Sequence, residues 1–158
     1  MNLGGNISDA DYRSLAEFRY QIRRFLRFSE QATRQTGLEP QQHQLLLAVR
    51  AHPGPTPPSV RELSEYLLIR HHSAVELVNR VESAGLLVRE VDPSDQRVAR
   101  LRLTPQGEKL IEQLSETHLN ELRRIAERLG ISQELLEHLS REFAENLLED
   151  MHARNETG

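Results

Sequence analysis

The 158-residue chain has no cysteine and no tryptophan, and its aromatics are limited to three tyrosines and four phenylalanines. Without thiols there can be no disulfide, thiolate zinc site, iron–sulfur cluster or thiol redox sensor. So few aromatics leave no stacking platform for single-stranded nucleic acid. No run approaches the roughly 18 apolar residues of a membrane span. The opening stretch MNLGGNISDAD lacks both a basic n-region and an apolar h-region, so a soluble cytoplasmic protein is expected, without membrane attachment. Also missing are a glycine-rich phosphate loop, a GxSxG elbow and an HExxH zinc motif. Paired carboxylates such as Glu134 and Glu137 read as a solvated acidic helix face. The expectation is that this is not an enzyme and carries no cofactor.

Lysine is nearly absent too. Lys109 stands alone, and every other basic side chain is arginine. Arginine forks onto phosphates and guanine edges, where lysine acts as a point charge. The net charge of −4 argues against a polyanionic partner until its distribution is considered. Residues 106–158 hold 12 of the 24 acids against 6 basic groups, whereas residues 1–58 carry 7 arginines and 5 acids. A DNA-facing surface outside the last third is therefore compatible with the sum.

What the chain does have is helical periodicity punctuated by caps. Ser8, with Asp11 three residues on, has capping-box spacing, and Leu15, Phe18, Ile22, Phe25, Leu26 and Ala32 follow at helical intervals until Gly37. Pro40 suits the first position of a second helix carrying Leu45, Leu46, Leu47 and Val49, to about His52. The stretch Pro53 to Pro58 is a stiff connector. Ser59 and Glu62 form another capping box, opening a short helix through Leu63, Tyr66 and Leu67. After a break at Leu68 to Arg70, a helix from about His71 to Ala84 is closed by Gly85. Two short helices across a tight turn make a helix-turn-helix. The period then changes. Leu86 to Val91 and Arg97 to Leu103 read as strands around the turn Pro93-Ser94-Asp95-Gln96, with Ala99, Leu101 and Leu103 on the inner face. A hairpin directly after a helix-turn-helix is a wing. Thr104-Pro105 starts a long helix to about Leu129, stopped by Gly130. Ser132 caps a last helix with Leu135, Leu136, Leu139, Phe143, Leu147 and Leu148. The expected class is α+β, mainly α. A winged helix-turn-helix at 38–104 is flanked by helices at 8–36 and 105–152, which can build an intermolecular bundle.

In the helix at 71–84, Ala74, Leu77, Val78, Val81 and Ala84 fall on one stripe, expected to pack on the core. His71 stands at its start, and His72, Ser73, Glu76, Asn79, Arg80 and Ser83 lie opposite. Side chains near the start of such a helix read base edges in the major groove. The candidate DNA contacts are therefore His71, His72, Ser73, Glu76, Asn79 and Arg80. Arg and Asn are suited to bidentate contacts with guanine and adenine, Ser and His to phosphates. Taken alone, such a face is better explained by solvation; the adjoining wing reverses that. Arg97, Arg100 and Arg102 stand there with no acid among them. Arg97, beside the turn, is placed to enter a narrow minor groove. Asp92 or Asp95 can pair with Arg97 and hold the turn.

The stretch LSEYLLIRHHSAVELVNRVESAGLLVREVDPSDQRVARLRLTPQG resembles the core of the MarR (multiple antibiotic resistance regulator) family. The resemblance is carried by LVNRVESAGLLVRE, by the turn Asp92-Pro93-Ser94-Asp95-Gln96-Arg97 and by Leu103-Thr104-Pro105-Gln106-Gly107. It implies a winged-helix homodimer joined through its terminal helices, binding a pseudo-palindromic operator. It also implies release by a small effector in a cleft between the dimer and DNA-binding regions. By position it assigns His71–Ala84 as recognition helix and Arg97 as the wing-tip arginine, with Asp95 in support. Gln96 stands where many members carry Arg, which predicts a weaker grip on phosphate. The Pro-rich connector also looks longer than usual.

Of the seven histidines, His43, His118 and His138 are the set that folding could bring together as a metal site; isolated surface histidines are the plainer reading, and no metal is assigned. A winged helix can also serve as a protein-protein interaction module, and a metal-responsive regulator is the other alternative. The wing arginines, free of acids, favour DNA.

Overall fold

The computed structural model describes residues 7–132 and, beyond them, residues 134, 135, 137, 138, 141 and 142. Up to residue 128, helices and a two-stranded antiparallel sheet succeed one another as α1 (Asp9–Gln35), α2 (Pro40–Arg50), α3 (Val60–Tyr66), α4 (His71–Ser83), β1 (Leu87–Val91), β2 (Ala99–Leu103) and α5 (Pro105–Arg128). The caps read from the sequence set these boundaries. Ser8 and Ser59 each accept from the backbone N–H three residues on, while Asp11 and Glu62 reach back to the cap. Thr104 accepts from the Gly107 N–H at the start of α5. These bonds satisfy amides that the first helical turn leaves without partners. Gly37, Gly85 and Gly130 follow the ends of α1, α4 and α5 with φ of +84°, +72° and +68°. Beyond α5, Ser132 Oγ accepts from the Leu135 N–H at 3.2 Å. The expected positions Leu136, Leu139, Phe143, Leu147 and Leu148 lie outside the described residues.

The core gathers one face from each element of the central unit. Leu45 and Leu46 of α2, Leu63 of α3, Val78 and Val81 of α4, Leu87 of β1 and Leu101 of β2 are fully or almost fully buried. Ile111 and Leu114 of α5 join the same cluster. The apolar stripe of α4 holds except at its end. Ala74, Leu77, Val78 and Val81 are buried, but Ala84 is exposed, because the helix has already ended and Ala84 serves as its cap. Leu47, grouped with the apolar residues of α2 in the sequence, is also exposed, facing away from this core.

The hairpin pairs Leu87 with Leu103 and Val91 with Ala99, and Ser59 bridges to Arg100 on the far edge of β2. The Leu101 N–H donates to the Pro58 carbonyl at 2.9 Å. The proline-rich connector thereby docks on the wing and leads directly into the α3 cap. At the other side of the hairpin, Gly107 lets α5 approach closely. A Cβ built there would stand 2.1 Å from the Leu86 carbonyl oxygen.

α1 is different in kind. Its stripe is helical as expected, but Tyr12, Leu15, Phe18, Ile22 and Leu26 are exposed, between 43% and 60%. From its middle onward α1 packs within the chain, with Gln21 buried and Thr33 fully buried. On α5, Leu119, Leu122 and Leu129 are likewise exposed. No described helix is long and apolar enough to cross a membrane.

Candidate nucleic-acid interface

α3 and α4 are joined by a turn in which Leu68 takes φ of +55°. This brings the start of α4 to the surface. His71, His72, Glu76, Asn79 and Arg80 are exposed, and Ser73 is half-buried. The sequence-expected contact residues thus share one solvent-facing side of α4, while the opposite side is held in the core. They are not equally available. Asn79 Oδ1 accepts from Arg89 Nη2 of β1 at 2.7 Å, and the same guanidinium pairs with Glu82. Arg80 makes no ion pair or side-chain hydrogen bond among the described residues.

The wing corrects one expectation outright. Its arginines are not free of acids. Arg100 Nε donates to Asp92 Oδ2 at 2.6 Å, and Arg100 Nη1 donates to Glu62 Oε2 at 3.0 Å and to the Pro57 carbonyl at 3.2 Å. Arg102 pairs with Glu90 of β1, an exposed contact at 2.6 Å. Arg100 is a tie between wing, connector and α3. Its partners come from outside β2, one of them from a helix 38 residues earlier, so the strand's own sequence does not betray them. Arg97 is exposed at the tip, and its guanidinium has no partner among the described residues.

The turn itself is built by two aspartates. Asp92 Oδ1 accepts from the N–H groups of Ser94 and Asp95, and Asp95 Oδ1 accepts from the Arg97 N–H at 3.0 Å. The expected pairing of Asp92 or Asp95 with the Arg97 side chain does not form; Asp95 instead orients Arg97 through its backbone. The hydrogen bond from Arg100, aided by those from the turn, holds the Asp92 carboxyl below the usual range. Burial by itself would raise the Glu62 carboxyl, but the Ser59 hydrogen bonds and the Arg100 charge outweigh it and hold the group low. Both acids therefore stay ionised at neutral pH and keep the tie intact.

A second site lies where α1, α2 and α5 meet, a cavity of about 490 Å³. Phe25, Leu26, Leu47, Leu119 and Leu122 supply its apolar lining. Thr33, His43 and His118 add buried polar atoms, and Thr33 Oγ1, His43 Nε2 and His118 Nε2 have no hydrogen-bond partner among the described residues. The two imidazoles meet edge to face with centroids 4.7 Å apart. Burial, and then the neighbouring His118, lowers the His43 pKa to about 4. Burial also lowers that of His118, opposed by a hydrogen bond to the Ser29 backbone. Both rings are neutral at physiological pH. Two of the three histidines singled out for metal thus come together. His138 is exposed and pairs with Glu142, and no group of three possible ligands forms among the described residues. Sequence reading missed the rest of this cavity. Its residues come from three separate helices, and His43 and His118 were its one visible signal.

Comparison with known proteins agrees with this architecture. Residues 36–98 match the model of the MarR family. A Thauera aromatica protein named for transcriptional regulation of the hcr operon is 33% identical over 89 residues. That match covers 56% of this chain and 52% of the relative, so the chain spans about half the relative's length. Among solved structures, AbsC of Streptomyces coelicolor, a MarR family transcriptional regulator, superposes with a TM-score of 0.67 at 19% identity, covering 94% of this chain and 99% of AbsC. MepR of Staphylococcus aureus, crystallised with DNA, superposes with a TM-score of 0.63 at 20% identity, covering 85% and 96%. The sequence match over residues 36–98 and the fold shared over most of the chain point the same way: the central unit is similar to the MarR family, and the chain has the winged helix-turn-helix fold of its solved members.

Proposed function

We propose that this chain is a non-enzymatic transcriptional regulator that binds double-stranded DNA as a homodimer. The observation that carries this reading is the exposed polar face of α4 beside a wing whose tip presents an unpaired Arg97. α4 enters the major groove through His71, His72, Ser73, Glu76 and Arg80. Asn79 joins them through its amide N–H groups while Arg89 holds its oxygen. Arg97 reaches the adjacent minor groove, where the potential is most negative. Arg100 and Asp95 position the wing rather than touch DNA, and Arg102 contributes only where it leaves Glu90. That MepR, similar in fold, was crystallised with DNA supports DNA as the partner.

Dimerisation follows from the bare stripes of α1 and α5, which a second copy covers. Two-fold symmetry then sets the recognition helices about one helical turn apart, roughly 34 Å, on a pseudo-palindromic operator. The regulator acts in the cytoplasm as a repressor. A small molecule entering the α1–α2–α5 cavity biases the spacing of the reading heads, and by linkage binds less tightly to the DNA-bound form. Leu26, Leu119 and Leu122 belong both to this cavity and to the bare faces, which connects effector and dimer geometry.

The test is a titration against a duplex from the gene's own upstream region and against random duplex, at several salt concentrations. Selective binding with a steep salt slope, on the order of 0.9 per neutralised phosphate, is expected. A folded dimer that binds neither duplex overturns the reading and moves the weight to a protein-protein interaction module.

A further inference from the structure

The chemistry of the cavity restricts what can occupy it. Its volume suits a small organic molecule. Among its lining residues there is no lysine or arginine. Glu30 is the one charged lining residue, and its carboxylate is already paired with Arg34 at 3.4 Å. An anion would find no counter-charge, and a cation would find an acid already occupied.

The histidines add a direction. His118 is 7% exposed and His43 5%, and the Nε2 atom of each ring is buried away from water. His118 Nε2 is buried without a partner among the described residues, and the Ser29 backbone beside the ring favours an N–H on its other nitrogen. With the N–H assigned to Nδ1 on that basis, Nε2 of the neutral ring is an acceptor. Thr33 Oγ1 also stands unpartnered at the same cavity. A buried acceptor left unpaired costs free energy that an entering donor recovers.

We propose that the cavity selects an uncharged, largely apolar molecule carrying an O–H or N–H donor, received by His118 Nε2, and discriminates against the carboxylate of the same ring system. The inference rests on reading this cavity as the effector site. Phe25, Leu26 and Leu122 hold the apolar body, while the donor turns inward to the imidazole pair. A carboxylate would have to remain buried without a cation, or draw a proton onto His43 or His118.

The experiment is calorimetric titration of the full chain at pH 7.5 with naphthalene, 2-naphthol and 2-naphthoate, which share one ring body. 2-Naphthol is expected to bind roughly three- to tenfold more tightly than naphthalene, the worth of one recovered hydrogen bond. 2-Naphthoate is expected to bind more weakly than either. His118→Phe keeps the ring and removes the acceptor, and is expected to abolish the naphthol advantage while naphthalene still binds. The wild-type series stands as a test even if that variant does not fold. Tightest binding by 2-naphthoate, binding of none of the three, or a naphthol advantage that survives in folded His118→Phe overturns the proposal. DNA affinity is measured separately with 2-naphthol present. Binding to the cavity with no change in DNA affinity leaves the ligand assignment standing and removes the effector role.

Discussion

Arg97 and Arg100 stand three residues apart on one hairpin in opposite surroundings. Arg100 is held by two carboxylates and a carbonyl; the Arg97 guanidinium is held by none among the described residues. Arg97→Ala is therefore expected to weaken binding to all duplexes and to lower the salt slope by about one phosphate's worth. An unchanged slope in a salt titration would remove Arg97 from the interface. On α4, Arg80 can fork onto a guanine, so Arg80→Ala is expected to relax preference at one base pair by roughly 1–3 kcal/mol. Asn79 has its oxygen committed to Arg89 and cannot make a bidentate adenine contact unless that bond opens, so Asn79→Ala is expected to cost less. Competition titrations against single-base operator variants read both. The sequence made these polar residues legible as a face, because helical spacing alone decides which side they share. It placed Arg97 at the tip but did not show that Arg100 is tied down, because the partner Glu62 comes from another element.

At the scale of elements, caps and glycines made the boundaries readable. Each of Ser8, Ser59, Thr104, Gly37, Gly85 and Gly130 acts on its own neighbours, so local sequence carries the information. Packing between elements does not work that way. Gly107 stood in a recognisable run, yet its reason is the Leu86 carbonyl that a Cβ would meet at 2.1 Å. Gly107→Ala is expected to push α5 off the base of the wing and cost about 1–3 kcal/mol, the usual range for overpacking, as read by chemical denaturation. The Arg100 tie predicts a pH effect. Asp92 and Glu62 have folded pKa values below their ordinary ones, so their stabilisation is present above about pH 4 and is lost as pH falls through the folded values. The His43–His118 pair acts at higher pH. His43 titrates near 4 when folded and near 6.5 when exposed, so the unfolded chain takes up protons first. Stability should decline as pH falls from 6.5 towards 4, and His43→Phe should flatten that part of the profile in thermal unfolding. A profile unchanged by the substitution would mean that the ring is not buried as neutral imidazole.

Over the whole molecule, the unsettled surface is the apolar stripe of α1. The sequence showed the stripe but could not show what covers it, since periodicity records that a face is apolar and not which chain it meets. In the fold, Leu15 and Phe18 are 58% and 57% exposed, far from the core that α2 to α5 complete without them. A row of exposed leucine, isoleucine and aromatic side chains on one helix is costly to leave in water and favours association. If a second copy covers it, a charge placed there should separate the protomers while the winged unit stays folded. Phe18→Glu is thus expected to shift the sedimenting species from dimer to monomer at micromolar concentration, with the core's unfolding transition retained. Operator affinity should then fall by on the order of 10²-fold or more, because the second half-site contact is no longer tethered to the first. Binding to a single half-site duplex should change far less, since α4 and the wing are untouched. A variant that remains dimeric would place the interface elsewhere. A monomeric variant that kept full operator affinity would separate dimerisation from DNA recognition, and the symmetry argument for a pseudo-palindromic site would go with it.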